Sequence, residues 1–309
     1  MSLNWDSLQT KLDDFWECLP EAAQVVAPWQ GSHRFPELTY VREELTGSYK
    51  ARKYISLLPW IVEQGFQRVR IQGSSHSGNV TQLALLLKER GIEPVYMLEG
   101  REGPPAGNVL LSKLILGDNY QATETPDVDW CIPEGGSCPA ALAGSLGIAG
   151  SLIQQSLARR RWVEQVFIDS GTGFSAVSLL LGLGYFQLPC QVHIVSMTGQ
   201  ERAEFLQLVE QLTPEFRRLM QRLPGVPDFR VLHPPVGRSF GSVPSVALAE
   251  VQAFAQRESI LVDPLYTAKL SLTYQQHRDP GCSAMMFVSG GVRELLVFQR
   301  PLREWLGEA

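Results

Sequence analysis

Leu45–Tyr54 reads LTGSYKARKY and runs into an apolar stretch, Tyr54 to Val62, that contains Pro59. Gly47 and Ser48 are turn formers, and Ser48 is suited to cap the helix that the apolar stretch predicts. A lysine at a loop-to-helix junction is held by backbone on one side and by packing on the other, so its amine can be aimed. Lys50 is that lysine, while Arg52 and Lys53 are expected on the helix surface. Read alone, the stretch is a surface helix start with solvated charges, where positive charge is mildly unfavourable. The rest of the chain changes that reading.

Upstream, Asp6 to Cys18 predicts a helix and Leu38 to Glu43 a short strand leading into LTG. Downstream, extended segments are expected at Gln67 to Gln72, Glu93 to Met97, Trp130 to Ile132, Val166 to Ile168, Gln191 to Ser196, Phe229 to Leu232, Ile260 to Val262 and Met285 to Val288. Between them lie helical patterns at 80–90, 109–116, 200–221 and 246–257. Others run from PEGGSCPA to Arg161, from DSGTGFS to Leu183 and onward from Lys269, and an amphipathic helix closes the chain. GREGPPAGN (100–108) is a breaker loop. Strands alternating with helices mean right-handed βαβ units and parallel sheets with helices on both faces, an α/β fold.

At 309 residues the chain is long enough for two domains at roughly 150 residues each. A net charge of −5 with no long block of like charge argues against nucleic-acid binding and gives no membrane-surface signal. The apolar runs are too short to span a bilayer, and the first residues, MSLNWDSLQTKLDDFW, lack a secretory pattern. Five cysteines at scattered positions predict free thiols in a reducing compartment, and neither they nor the five histidines have metal-site spacing.

Ligands in such sheets bind outside the carboxyl ends of strands, and four strand ends here carry unusual loops. GSSHSGN (Gly73–Asn79) is small and polar, PEGGS (Pro133–Ser137) precedes a helix, and FVSGGV (Phe287–Val292) closes the last strand. DSGTGFS (Asp169–Ser175) is a glycine-rich loop feeding a helix, where free N–H groups and the helix dipole point at an anion together. Each loop alone is a weak signal, because tight strand-to-helix turns need glycine for steric reasons. Together with an aimed lysine they ask for a phosphorylated ligand bearing an amine-reactive carbonyl, which describes pyridoxal 5'-phosphate.

These motifs, in this order, resemble the fold-type II pyridoxal-phosphate enzymes, and within them the 1-aminocyclopropane-1-carboxylate (ACC) deaminase/D-cysteine desulfhydrase family. VREELTGSYKARK is similar to that family's lysine motif, and GNVLLSKLILG (Gly107–Gly117) and IPEGGSCPAALAG to its following motifs. DPLYTAK (Asp263–Lys269) resembles D-P-V-Y-T-G-K, and SGG at Ser289 resembles T-G-G. The resemblance implies a tryptophan synthase beta-like fold: residues 1–52 and 159–309 form a larger cofactor-binding domain, and 53–158 a smaller α/β domain inserted in it. It also implies a cytoplasmic homodimer acting on a small amino acid.

Position by position, the resemblance makes Lys50 the residue that carries the cofactor and then acts as base, and Tyr266 the acid, base or orienter over the substrate. Ser77 is a further catalytic candidate. The phosphate falls to Gly171, Thr172, Gly173 and Ser175, and the ring hydroxyl to Asn79. The ring nitrogen falls to Ser289 with Thr267, and the substrate carboxylate to Ser75, His76, Ser77 and Gly78. The departures lie in the substrate half: the insert before the lysine is shortened, Tyr49 replaces an asparagine, Gly78 replaces a serine, and Cys138 replaces an asparagine.

The expected reaction is Cα deprotonation and loss of a β-substituent, giving a keto acid and ammonia. The alternatives are ACC ring opening, a non-catalytic cofactor-binding homologue and a nucleotide-binding oxidoreductase. The last lacks the G-x-G-x-x-G spacing and its acidic partner. Thr267 stands where the deaminases have glutamate, and Ser289 is neutral. The ring-nitrogen end is therefore expected to carry no negative charge, which favours β-elimination over ring opening.

Overall fold

The structure is a computed structural model that describes residues 3–97, 107–120, 127–237 and 239–307. Most of the breaker loop at 100–108 lies outside the described residues. The strands are β1 (Trp29–Gly31), β2 (Leu38–Arg42), β3 (Arg68–Ile71), β4 (Glu93–Tyr96), β5 (Trp130–Ile132), β6 (Gln165–Ser170), β7 (Gln191–Ser196), β8 (Phe229–Leu232) and β9 (Ala284–Val288). The first six helices are α1 (Trp5–Glu17), α2 (Ser48–Glu63), α3 (Gly78–Lys88), α4 (Asn108–Leu116), α5 (Leu142–Arg159) and α6 (Phe174–Phe186). The remaining five are α7 (Arg202–Met220), α8 (Ser245–Ala253), α9 (Thr267–His277), α10 (Val292–Leu296) and α11 (Gln299–Leu306).

The strands form two sheets, a larger one in the order β1-β2-β9-β6-β7-β8 and a smaller one in the order β4-β3-β5. All pairings are parallel except β1 with β2, where Trp29 stands opposite Val41. The short β1 was not anticipated. Three residues flanked by Pro28 and Ser32 carry too little pattern to read. Ile260–Val262, expected as extended, joins neither sheet and instead buries Ile260 and Val262 beneath α9.

Composition explains the layering. β9 is buried at every position, as a parallel strand covered on both faces must be. α6 is apolar on all sides and buried everywhere except Ser175. α5 carries Gly144, Gly147 and Gly150 on one stripe, and a Cβ there would collide with the Arg52 carbonyl, the Ala23 carbonyl and the Trp16 ring. That stripe lets α2 lie directly against α5, so the helix that begins beside Lys50 rests on a rigid support.

Two expectations for this helix are corrected. Ser48 is not the cap: Gly47, at φ +93°, holds that position, and no side chain caps the helix. Ser48 itself has φ +68°, a left-handed conformation costing a non-glycine residue about 1–2 kcal/mol. Arg52 and Lys53 are not on the surface either. Both are buried, Arg52 donating from Nε and Nη2 to the two carboxylate oxygens of buried Glu43 at 2.8 Å each. A forked, desolvated pair of this kind fixes geometry at both ends. The pair ties the first turns of α2 to the Glu43–Thr46 turn just before it.

Candidate functional site

The site forms where the carboxyl ends of the two sheets face the start of α2. Lys50 enters from α2 and reaches the smaller sheet, for a Cβ at Gly78 would lie 3.6 Å from its Nζ and 3.4 Å from Asn108 Nδ2. Burial pulls the Lys50 pKa down, Glu294, Asp263 and Asp169 oppose that, and Arg293 adds to it. An amine held below its ordinary pKa is more often neutral, the state in which it is a nucleophile or a base.

The Gly73–Asn79 loop turns into α3. Ser77 caps that helix, its Oγ accepting from the Asn79 N–H at 3.2 Å, and Ser75 is buried. Asn79 Oδ1 accepts from the Tyr54 hydroxyl at 2.7 Å, whereas its buried Nδ2 has no partner among the described residues. His76 is exposed. Its backbone carbonyl, not its ring, accepts from Asn108 Nδ2 at 2.9 Å.

At the larger sheet, Gly173 adopts φ +87° and begins α6 with no side-chain cap, so side chains leave the first N–H groups of the helix free. A Cβ at Gly171 would lie 3.3 Å from the Tyr266 hydroxyl, which places that hydroxyl over the loop. Thr172 Oγ1 shares a 2.8 Å hydrogen bond with Ser137, joining DSGTGFS to PEGGS. Ser175 sits partly buried in the first turn of α6. Behind this loop, Lys53 Nζ donates to the Gly135 carbonyl at 2.9 Å and lies 5.2 Å from the centre of the Phe174 ring. Burial, with Lys50 nearby, pushes the Lys53 pKa down to about 7.

The floor is built from Asp263, whose Oδ1 accepts from the N–H groups of Leu265 and Tyr266 at 2.9 and 2.6 Å, while Oδ2 accepts from Thr267 at 3.2 Å. Thr267 Oγ1 in turn accepts from the Gly290 N–H at 3.3 Å, binding the SGG turn to α9. Burial, then Asp169 and Asp263, raise the Tyr266 pKa, so its phenol keeps its proton. The Asp169 carboxylate accepts from the Tyr49 hydroxyl at 3.4 Å. Burial first, and Asp263 after it, push the Asp169 pKa up to about 7. Asp169 closes β6, the strand beside the β9 that leads into Ser289, so an acidic residue lies in this part of the larger sheet.

Sequence reasoning missed Asp169, Lys53, Tyr54 and Asn108. Two signals were present: Lys53 follows Lys50 by three residues and so shares its helix face, and Asp169 is an acid at the end of an apolar strand. No family model matches the chain. D-cysteine desulfhydrase of Serratia proteamaculans is 23% identical over 302 residues, covering 85% of this chain and 88% of the relative. A candidate ACC deaminase of Pyrococcus horikoshii is 22% identical over 254 residues, covering 74% and 75%. Among solved structures, an ACC deaminase homologue superposes with a TM-score of 0.77 at 19% identity, covering 96% of this chain and 99% of the other. A pyridoxal 5'-phosphate-dependent aspartate racemase gives 0.60 at 13% identity, covering 92% and 94%.

This is the fold of the fold-type II pyridoxal-phosphate enzymes. The resemblance read from the motifs is met by sequence relatives and solved structures alike. Lys50, Asn79, Gly171–Gly173, Tyr266 and Ser289 all lie at or beside strand or helix ends. Among the described residues, no helix is long and apolar enough to cross a membrane.

Proposed function

We propose that this chain is a pyridoxal 5'-phosphate-dependent lyase or deaminase that takes the Cα proton from a small amino acid and expels a β-substituent, leaving a keto acid and ammonia. The observation that carries this reading is the unpartnered, buried Nδ2 of Asn79, next in the chain to Gly78, beside which the Lys50 amine lies. A buried amide hydrogen without a partner costs about 1–3 kcal/mol, and an oxygen-bearing ring beside Lys50 would satisfy it. The start of α6, uncapped by any side chain and led by Gly171–Gly173, fits a phosphate in the same way. When bound, the cofactor supplies an electron sink for the Cα–H bond.

The chain's own residues supply the rest. Lys50 holds the cofactor and moves the Cα proton, and Tyr266 keeps its phenolic proton at hand beside Gly171. Thr267 and Ser289 face the ring nitrogen. Ser75 and the N–H groups at the start of α3 take the substrate carboxylate, with Ser77 and His76 in lesser roles. The larger sheet, with residues 1–52 and 159–309, is the cofactor domain, and 53–158 is the smaller domain.

Protein reconstituted with the cofactor, incubated with D-cysteine, β-chloroalanine and ACC, tests the reading through keto-acid release. Release from the first two, with little from ACC, is expected. Turnover of none of the three, despite bound cofactor, would leave a non-catalytic binding protein.

A further inference from the structure

The SGG turn after β9 runs straight into α10, whose first turn carries two opposite charges, Arg293 and Glu294. Nη1 and Nη2 of Arg293 both donate to the side-chain oxygen of Gln82 at 2.7 Å, in the amide orientation that satisfies both ends of Gln82. Gln82 lies on α3 four residues after Gly78, so the two share a helix face one turn apart, about 5 Å along the axis. A Cβ at Gly78 would lie 3.6 Å from the Lys50 amine. Arg293 thus crosses from the end of the larger sheet to α3, about one turn beyond the place where Lys50 reaches it. Behind burial, Glu294 and then Arg293 act on the Lys50 pKa in opposite senses, and Arg293 acts on buried Tyr54 as well. Glu294 is pinned to the SGG turn: Oε2 accepts from the Gly291 N–H at 3.1 Å, and Oε1 from Arg293 Nη2 at 3.3 Å. Both side chains keep open surface, 59% for Arg293 and 24% for Glu294, unlike the buried Arg52–Glu43 pair. A guanidinium has five N–H donors and a carboxylate about four acceptor sites, so each retains capacity for a ligand.

Resting on the function proposed above, we propose that Arg293 and Glu294 select substrates whose β-substituent ends in a second amino-acid group, Arg293 binding its carboxylate and Glu294 its ammonium. The substrate class is the thioether-linked diamino dicarboxylic acids. A substituent with a single charge would pair with one of the two residues and be repelled by the other, whereas a zwitterionic end satisfies both. A linker of two or three atoms between Cβ and the far Cα covers the helical turn from Gly78 to Gln82. Lys50 takes the Cα proton, the Cβ–S bond breaks with its electron pair on sulfur, and the sulfur leaves protonated as a thiol amino acid. Water converts the remaining three carbons to keto acid and ammonia.

The test uses full-length protein reconstituted with pyridoxal 5'-phosphate and compares lanthionine, as its mixture of stereoisomers, with racemic S-methylcysteine, which offers a leaving sulfur without a charged end. The wild type should prefer lanthionine by about tenfold or more in kcat/KM, the worth of a hydrogen bond between charged groups. Arg293→Met and Glu294→Gln should each remove most of that preference, and Arg293→Lys should keep part of it. Any change these substitutions make through Lys50 falls on both substrates and cancels in the ratio. Diaminopimelate, with carbon in place of the sulfur, has no β-leaving group; by calorimetry it should bind Arg293→Met about tenfold more weakly than wild type. A wild type without preference for lanthionine, or a preference that survives either charge-removing substitution, overturns the inference, while turnover of D-cysteine leaves the proposed function intact. Failure to turn over D-cysteine, S-methylcysteine and lanthionine alike removes the proposed function, and this inference with it.

Discussion

At the larger sheet, Asp169, Thr267, Asp263 and Ser289 sit at strand and helix ends with at most 9% of their surface exposed, the first three hydrogen-bonded to their neighbours. At the smaller sheet, the Gly73–Asn79 loop carries exposed Ser74 and His76, and Ser77 uses its hydroxyl to cap α3. One side of the cleft is fixed by packing, and the other is a loop whose side chains are partly free. A cofactor kept through every turnover suits the first, and a substrate that must enter and leave suits the second. Of the departures from the family motifs, Gly78 lies in this loop, whereas Tyr49 is buried against Asp169 and Cys138 is buried beyond β5.

Lys50→Ala tests the contrast most severely. It should abolish the visible absorbance of bound cofactor and lower activity by more than about 10³-fold, as removal of a base and anchor does. Lys53→Ala should keep the absorbance. If Lys53 instead proves to be the modified lysine, the anchor has been assigned to the wrong turn of α2.

The next largest effect belongs to the support of that lysine. Arg52→Met leaves Glu43, which is fully buried, without its partner, and removing one member of a buried pair costs about 3–5 kcal/mol. Urea denaturation should register that loss, and replacing both with apolar residues should recover most of it. A loss below about 1 kcal/mol in Arg52→Met would mean that the pair does not anchor α2.

Asp169 gives the packed side a pH signature. Its folded pKa is raised to about 7 from an ordinary carboxylate value of 3.8, so the folded state holds the proton more tightly. The stability it contributes is full below the ordinary value and is lost as pH rises through about 7, at up to about 1.4 kcal/mol per pH unit. Asp169→Asn should flatten the decline in Tm of the cofactor-free protein over that window. Lys53, lowered to about 7 from 10.5, acts above it and in the opposite sense, so the two are separable. An unchanged pH profile in Asp169→Asn would place the carboxylate in water.

The βαβ alternation, the glycine loops and the aimed lysine were legible because each is local: a period, a turn residue, a helix start. What stayed hidden depends on tertiary partners. Arg52 and Lys53 read as surface charges because their partners, Glu43 and the Gly135 carbonyl, are identified only once α2 lies on the glycine stripe of α5. Ser48 read as a cap because its residue type favours one, yet Gly47 is the residue that takes φ +93° there. Asp169 read as part of a loop because nothing near it in sequence shows that β9 lies alongside β6.

The smallest effects should separate two neighbours in the loop. Ser75 is 4% exposed at the cleft, so its hydroxyl is positioned by packing, whereas His76 is exposed and contributes only its carbonyl to Asn108. If the loop binds the substrate carboxylate, Ser75→Ala removes a donor from a desolvated position, and a hydrogen bond to a charged group there is worth about 1.5–3 kcal/mol. KM for the best substrate should then rise roughly tenfold or more, with kcat little changed, since the carboxylate is bound equally before and during reaction. His76→Ala removes a ring that touches nothing needed for that bond, and exposed substitutions of this kind stay within about 0.5 kcal/mol. Its kcat/KM should change by about twofold at most. The reverse ranking, with His76 the sensitive position, would mean that the loop closes over the substrate and brings the ring into the cleft, and the partly free side would then be the one that selects the substrate.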